Sequence, residues 1–410
     1  MTCKDLMVGA LALAACVAVA STPADAQRKY DPGASDTEIK IGNIMPYSGP
    51  ASAYGVIGKA SEAYFRMIND EGGINGRKIT FVTYDDAYSP PKTVEQARKL
   101  VENDDVLLIF QPLGTPGNTA IQKYLNTKKV PQLFVASGAT KWGDPKNFPW
   151  TMGFQPNYQS EGRIFARYIL EHRPQARIGV LYQNDDFGKD VLKGLKDGLG
   201  EKTALIVAEA TYEISDPTAD SQIVKLKTAN ADVFVDLTSP RFAALAIRKV
   251  AELGWKPMHF ISSVSGSIGS VLQPAGLDNA KGLLSTAYTK DPSDPLWKDD
   301  PKMIKWNAFM DKYMPGANKA DQGYVSSYMA TQTLVEVLRR CGDDLSRANV
   351  MRQAANLRDF EVDVLLPGIK VNTSATDFFP VEQLQMRRFD GRVWELFGPV
   401  MNGEVGSPAG

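Results

Sequence analysis

The sequence predicts an α/β protein of two lobes with mainly parallel sheets. Three observations carry that expectation. From Glu38 onward, short apolar runs alternate with amphipathic stretches of helical length, the order that builds βαβ units. The alternation comes in two successive sets, the second beginning after Phe154-Gln155-Pro156. The 410 residues exceed the roughly 100–200 of one ordinary domain, so each set is long enough to bury its own core.

In the first set the pattern predicts a strand over 38–45 and a helix over 53–69, with Ala60, Ala63, Tyr64, Met67 and Ile68 on one face. A strand over 78–84 follows the turn Gly72-Gly73-Ile74-Asn75-Gly76. Pro90-Pro91 opens a helix to about residue 103, because the N–H groups of a first helical turn have no intrahelical acceptor and proline lacks one anyway. A strand over 106–110, a helix over 118–127 and a strand over 132–135 complete the set. The second set reads as helix 159–172, strand 177–182, helix 187–199, strand 204–212, helix 221–228, strand 233–237, helix 241–253 and strand 258–261. Phe242, Leu245, Ala246, Val250 and Leu253 form the inner face of helix 241–253, and Gly254 caps its C-terminus. The Asp- and Pro-rich stretch 290–302 reads as a surface connection. Helices follow near 297–314, 321–340 and 346–355, and the stripe Tyr324, Tyr328, Thr331, Val335, Leu338 reads as core packing.

Composition excludes several functions. With 46 Lys+Arg against 47 Asp+Glu, the chain lacks the basic footprint that a nucleic-acid backbone requires. His172 and His259 are the two imidazoles, so HExxH and multi-histidine metal sites are absent. The three cysteines, Cys3, Cys16 and Cys341, exclude a disulfide framework and a cysteine-based zinc site. No GxSxG, P-loop or GxGxxG occurs, and the glycines of Gly266-Ser267-Ile268-Gly269 have the wrong spacing. Binding without catalysis, cofactor or metal is the expectation. The first residues read as an address: a fifteen-residue apolar run over 6–20, then Ala24-Asp25-Ala26 before Gln27, predict a signal peptide over 1–26 and an exported mature chain. Leu13-Ala14-Ala15-Cys16 offers a competing lipobox reading that would tether the protein through Cys16.

In parallel sheets, ligands bind at the loops that follow the carboxyl ends of strands. Here those loops are 46–55, 111–118 and 136–140, rich in Gly, Ser and Thr and each set before a helix. Free N–H groups and hydroxyls at helix starts suit a carboxylate or phosphate; Thr115 and Thr140 read equally as helix caps.

At Ser48-Gly49-Pro50-Ala51-Ser52-Ala53-Tyr54-Gly55, at Gly72-Gly73-Ile74-Asn75-Gly76 followed by Tyr84-Asp85-Asp86, and at Ser137-Gly138-Ala139-Thr140, the sequence resembles the periplasmic leucine/isoleucine/valine-binding protein family, the substrate-binding components of ABC importers. The likeness runs from about residue 39 to about residue 397. It implies a type I periplasmic binding fold, two Rossmann-like lobes joined by a three-crossover hinge, with 37–155 plus 287–375 as the first lobe and 156–286 plus 376–400 as the second. It implies a periplasmic monomer that closes on a small solute and presents it to membrane permease subunits, or alternatively to a sensor. Carried over position by position, the ligand-wall tyrosine falls on Tyr54, the carbonyl that meets the ligand's ammonium on Gly138, and the threonine contacting carboxylate and ammonium on Thr140. The family's serine for the carboxylate aligns with Pro116, leaving Thr115 as its substitute. Second-lobe aromatic and tyrosine positions fall on Phe187 and Ser239, and the family's cysteine pair on Tyr88 and Leu113.

The main departure is Val264, which stands where the family has the glutamate that pairs with an amino acid's ammonium. A buried ammonium without a carboxylate partner is costly, so the resemblance with this departure implies a carboxylate lacking an α-ammonium, such as an aromatic or short aliphatic acid. Ser239 widens the wall for a flat ring, and Arg241 is placed to meet a second anionic group. Asp185 or Asp186 as a replacement acid would restore an amino-acid ligand.

Overall fold

The computed structural model describes residues 28–402. The predicted signal peptide, Cys3 and Cys16 lie outside the described residues. The strands are β1 (Lys29–Tyr30), β2 (Glu38–Met45), β3 (Lys78–Asp85), β4 (Leu108–Phe110), β5 (Gln132–Val135), β6 (Thr151–Gly153), β7 (Ile178–Gln183), β8 (Ile206–Tyr212), β9 (Val233–Leu237), β10 (Met258–Ile261), β11 (Leu284–Ala287), β12 (Asp344–Leu345), β13 (Gln383–Phe389) and β14 (Trp394–Asn402). The helices are α1 (Val56–Asp70), α2 (Pro90–Glu102), α3 (Thr115–Lys128), α4 (Tyr158–His172), α5 (Asp186–Leu199), α6 (Asp220–Thr228), α7 (Pro240–Glu252), the short α8 (Gln273–Ala275) and α9 (Leu277–Ala280), α10 (Pro301–Tyr313), α11 (Gln322–Cys341) and α12 (Arg347–Ala354).

Two sheets organise these elements. A five-stranded parallel sheet has the order β3-β2-β4-β5-β6, and a seven-stranded sheet has the order β14-β13-β11-β10-β9-β7-β8. The second is parallel from β8 to β11 and antiparallel where β13 joins β11 and β14. Central strands covered by helices on both faces must be apolar on both faces: in β2, Ile39, Ile41, Ile44 and Met45 are fully buried, while Gly42 leaves room for Leu100 and Val106.

The chain passes between the sheets three times, over 154–157, after β11, and between 372 and 382. On its middle return, α10 and α11 pack on α1. Tyr64 meets Tyr328 edge-on at 4.9 Å and Phe309 at 5.6 Å, and the Ser61 and Ser327 hydroxyls are 2.8 Å apart. The Tyr324–Leu338 stripe is buried as core. The stretch 290–302 departs from the sequence reading, since Lys290 is buried, its Nζ held by both Asp300 carboxylate oxygens at 3.0 and 3.1 Å and by the Asp363 carbonyl at 3.1 Å. A paired ammonium tolerates burial that a lone one does not.

Candidate ligand-binding cleft

The carboxyl ends of both sheets face a cavity of about 940 Å³, counting its mouth, within the roughly 300–1,000 Å³ typical of small-molecule clefts. Its walls come from the loops after β2, β3 and β4, from the first crossover, from the starts of α5, α7 and α11, and from the turn after β10. Five rings line it: Tyr54, Tyr88, Tyr158, Phe187 and Tyr288. Burial pushes the phenol pKa of all four tyrosines up, so they are neutral donors.

The Tyr84-Asp85-Asp86 motif builds one wall. Asp85 accepts the N–H groups of Tyr47, Ser48 and Ala87, while Asp86 accepts the Tyr88 N–H at 2.9 Å and the Thr93 hydroxyl at 2.6 Å. These bonds hold Ala87 and Tyr88 at φ 49° and 60°, a strained conformation that persists when its surroundings over-determine it. Tyr88 is thereby carried to the cavity, and its ring lies over Gly114, where a Cβ would stand 2.6 Å away and φ is +100°.

Of the positions singled out in the sequence, Tyr54, Thr115, Phe187, Ser239 and Val264 line this cavity, as do Tyr88 and Leu113. Thr115 Oγ1 is 2.7 Å from Ser137 Oγ, Phe187 meets the edge of Tyr158 at 5.1 Å, and Ser239 Oγ is 3.1 Å from the Tyr212 hydroxyl. Gly138 and Thr140 are not on the lining, for identifiable reasons. The Gly138 carbonyl accepts the Tyr158 N–H at 2.8 Å, and the Ser137 hydroxyl beside it accepts the Trp142 Nε1–H at 3.0 Å. A Cβ on Gly138 would lie 2.3 Å from the Pro156 oxygen and 2.8 Å from the Tyr158 ring. Thr140 donates its N–H to Asp190 Oδ2 at 2.8 Å, with its hydroxyl 3.0 Å from the same oxygen and from Asn157 Oδ1. The groups expected to meet a ligand therefore hold the protein together.

The suggested replacements for the missing acid are engaged likewise. Asp185 caps α5 through the N–H groups of Phe187 and Gly188 at 3.0 and 3.3 Å. Asp186 pairs with Lys141 at 2.6 Å, and that ammonium holds its carboxyl below the usual range. Arg241 turns to the carbonyls of Asp216 and Pro217. None of the three lines the cavity. The carboxylate that does is Asp321, the one charged side chain on the lining among the described residues. It caps α11 through the Gly323 N–H at 2.9 Å, accepts the Ser267 hydroxyl at 3.2 Å, and is 9% exposed. In the sequence it is visible only as the first residue of a predicted helix; nothing local says that this helix start faces a cleft.

Contacts also span the two layered halves. Asp186 and Asp190 lie four residues apart and share one face of α5. They grip Lys141, Thr119 and Thr140 beside the first sheet, and Gln183 donates to the Tyr88 hydroxyl at 3.3 Å.

Two α/β layers with a cleft between their strand ends narrow the choice to solute-binding folds, and residues 38–392 match the family profile of periplasmic binding proteins. The chain belongs to the periplasmic binding protein family. It is 28% identical over 318 residues to the Leu/Ile/Val-binding protein homolog 1 of Brucella abortus (strain 2308), covering 76% of this chain and 81% of that one. A branched chain amino acid ABC transporter protein from Thermus thermophilus, solved with bound valine, has a TM-score of 0.82 at 17% identity over 90% of this chain and 97% of that chain. A fatty acid ABC transporter substrate-binding protein from Thermomonospora curvata has a TM-score of 0.75 at 21% identity over 92% and 95%. A periplasmic binding protein captures solutes and performs no catalysis, and the fold is the type I arrangement that the sequence predicts.

Proposed function

We propose that this periplasmic binding protein is the solute-capturing component of an ABC importer. It takes a small carboxylate with an apolar or aromatic body, closes its two lobes over it and presents the closed form to permease subunits. The export signal read in residues 1–26 agrees with work in the periplasm. The observation that carries the ligand class is the cavity's make-up: the N-termini of α3, α7 and α11 reach it at Thr115, Ser239 and Gln322, beside five aromatic rings. Helix starts favour an anionic group, and rings favour a flat or branched apolar body. Val264 keeps the second-lobe wall apolar, so that wall offers no charge to a ligand's head group. Asp321 in the same cavity favours a second reading, an amino acid, because the cleft is not without a carboxylate.

The experiment is a binding titration with a panel of aromatic and aliphatic acids and amino acids, on the wild type and on Tyr54→Ala with Thr115→Ala. The expected result is binding by one chemical series, weakened about tenfold or more in the double variant, which stays folded at the temperature of the titration. Unaltered affinity in that variant would put the site elsewhere.

A further inference from the structure

We propose that Asp321 receives the ammonium of the ligand, an anchor at the start of α11 in place of the second-lobe acid position held by Val264. This rests on the reading of the cleft as a small-solute site and names the head group it takes.

The position where the resemblance places an amino acid's head group is closed. The Gly138 carbonyl accepts the Tyr158 N–H at 2.8 Å, the Ser137 hydroxyl lies 2.7 Å from Thr115 Oγ1 and accepts the Trp142 Nε1–H at 3.0 Å, and Thr140 is bound to Asp190. A head group must therefore bind in another part of the cavity. There, Asp321 directs Oδ1 to the Gly323 N–H and the Ser267 hydroxyl, and the Ser270 hydroxyl beside it also supports the carboxylate and lines the cavity; all of these partners are neutral, and two carboxylate oxygens offer about four acceptor sites in all, which leaves room for an ammonium. Among the described residues, no Lys, Arg or His lines the cavity to balance this charge. The nearby Arg387 sits behind Gln322, its Nη2 3.4 Å from Oε1, with the guanidinium over the Trp394 ring at 4.4 Å.

A buried carboxylate without a counter-charge is unfavourable, and a ligand's ammonium would supply one. The faces of tyrosine rings add attraction for a cation. Helix capping alone does not call for a carboxylate here, since serine or asparagine caps as well without burying a charge.

The test uses matched probes that differ by the amino group: phenylalanine against 3-phenylpropanoate, and leucine against 4-methylpentanoate. Binding is measured calorimetrically on the wild type, Asp321→Asn and Asp321→Ser, both of which keep a capping oxygen. The expected result is that the amino member of a pair binds the wild type more tightly and loses about tenfold or more in both variants, while the deamino member is unaffected or binds better. If deamino acids bind the wild type preferentially, or if Asp321→Asn leaves amino-acid affinity unchanged, the ammonium anchor is overturned and the carboxylate cleft stands. Binding by no member of either pair overturns both.

Discussion

At the scale of single residues, two positions carried over from the resemblance are engaged within the protein and lie off the cavity lining. Gly138 and Thr140 carry the resemblance, yet the Gly138 carbonyl accepts the Tyr158 N–H at the start of α4 and Thr140 bonds Asp190 of α5. Gly138→Ala should therefore destabilise the protein by about 1–3 kcal/mol, the usual cost of overpacking, whether or not ligand is present; a lowered melting temperature in both states checks this. Asp321 has a pH signature. Burial, the largest influence on it, raises its carboxyl pKa. In the empty protein the group consequently favours the folded state at low pH and opposes it as pH rises through the raised value. A ligand ammonium needs the ionised form, so amino-acid affinity should be full above that value and fall about tenfold per pH unit below it. An acid without an ammonium should show the opposite trend, and titrations between pH 4 and 8 separate the two.

At the scale of elements, hydrophobic period located the parallel strands well. Strands 38–45, 132–135, 233–237 and 258–261 coincide with β2, β5, β9 and β10, because buried parallel strands are continuous apolar runs. The sequence reading assigned no strand at β6, β11, β13 or β14. β6 is three residues long, β11 carries Ser285 and Thr286, and β13 includes Gln383, Gln385, Arg387 and Arg388, so these three show no apolar run, while the apolar residues of β14 are broken by Gly398 and Pro399. The predicted α3 began at 118 and begins at Thr115, since Pro116 fits its first turn. The α5 clamp belongs to this scale too. Lys141 and Asp186 are 36% and 44% exposed, so their pair contributes only about 0.2–1 kcal/mol. Asp190 accepts a backbone N–H with its charge, worth about 1.5–3 kcal/mol. Asp190→Ala should thus loosen lobe closure more than Lys141→Ala, seen as a larger radius of gyration by small-angle scattering and a correspondingly weaker ligand affinity.

At the scale of the whole molecule, the sequence by itself determined the class: two α/β sets, mainly parallel sheets and the family, because burial on both faces of a sheet and the spacing of glycine turns are written in local pattern. Five of the seven positions that the resemblance singled out lie on the cavity lining, where loops after strand ends converge in such a sheet. Only the tertiary structure decided which groups are free to meet a ligand. Tyr158 and Gly138 lie near one another in sequence, but Thr140 and Asp190 are 50 residues apart, and Val264 and Asp321 come from different segments of the chain. A hydrogen-bonding group can serve a ligand only with the capacity that its partners in the fold leave unused, and that is a property of neighbours in space.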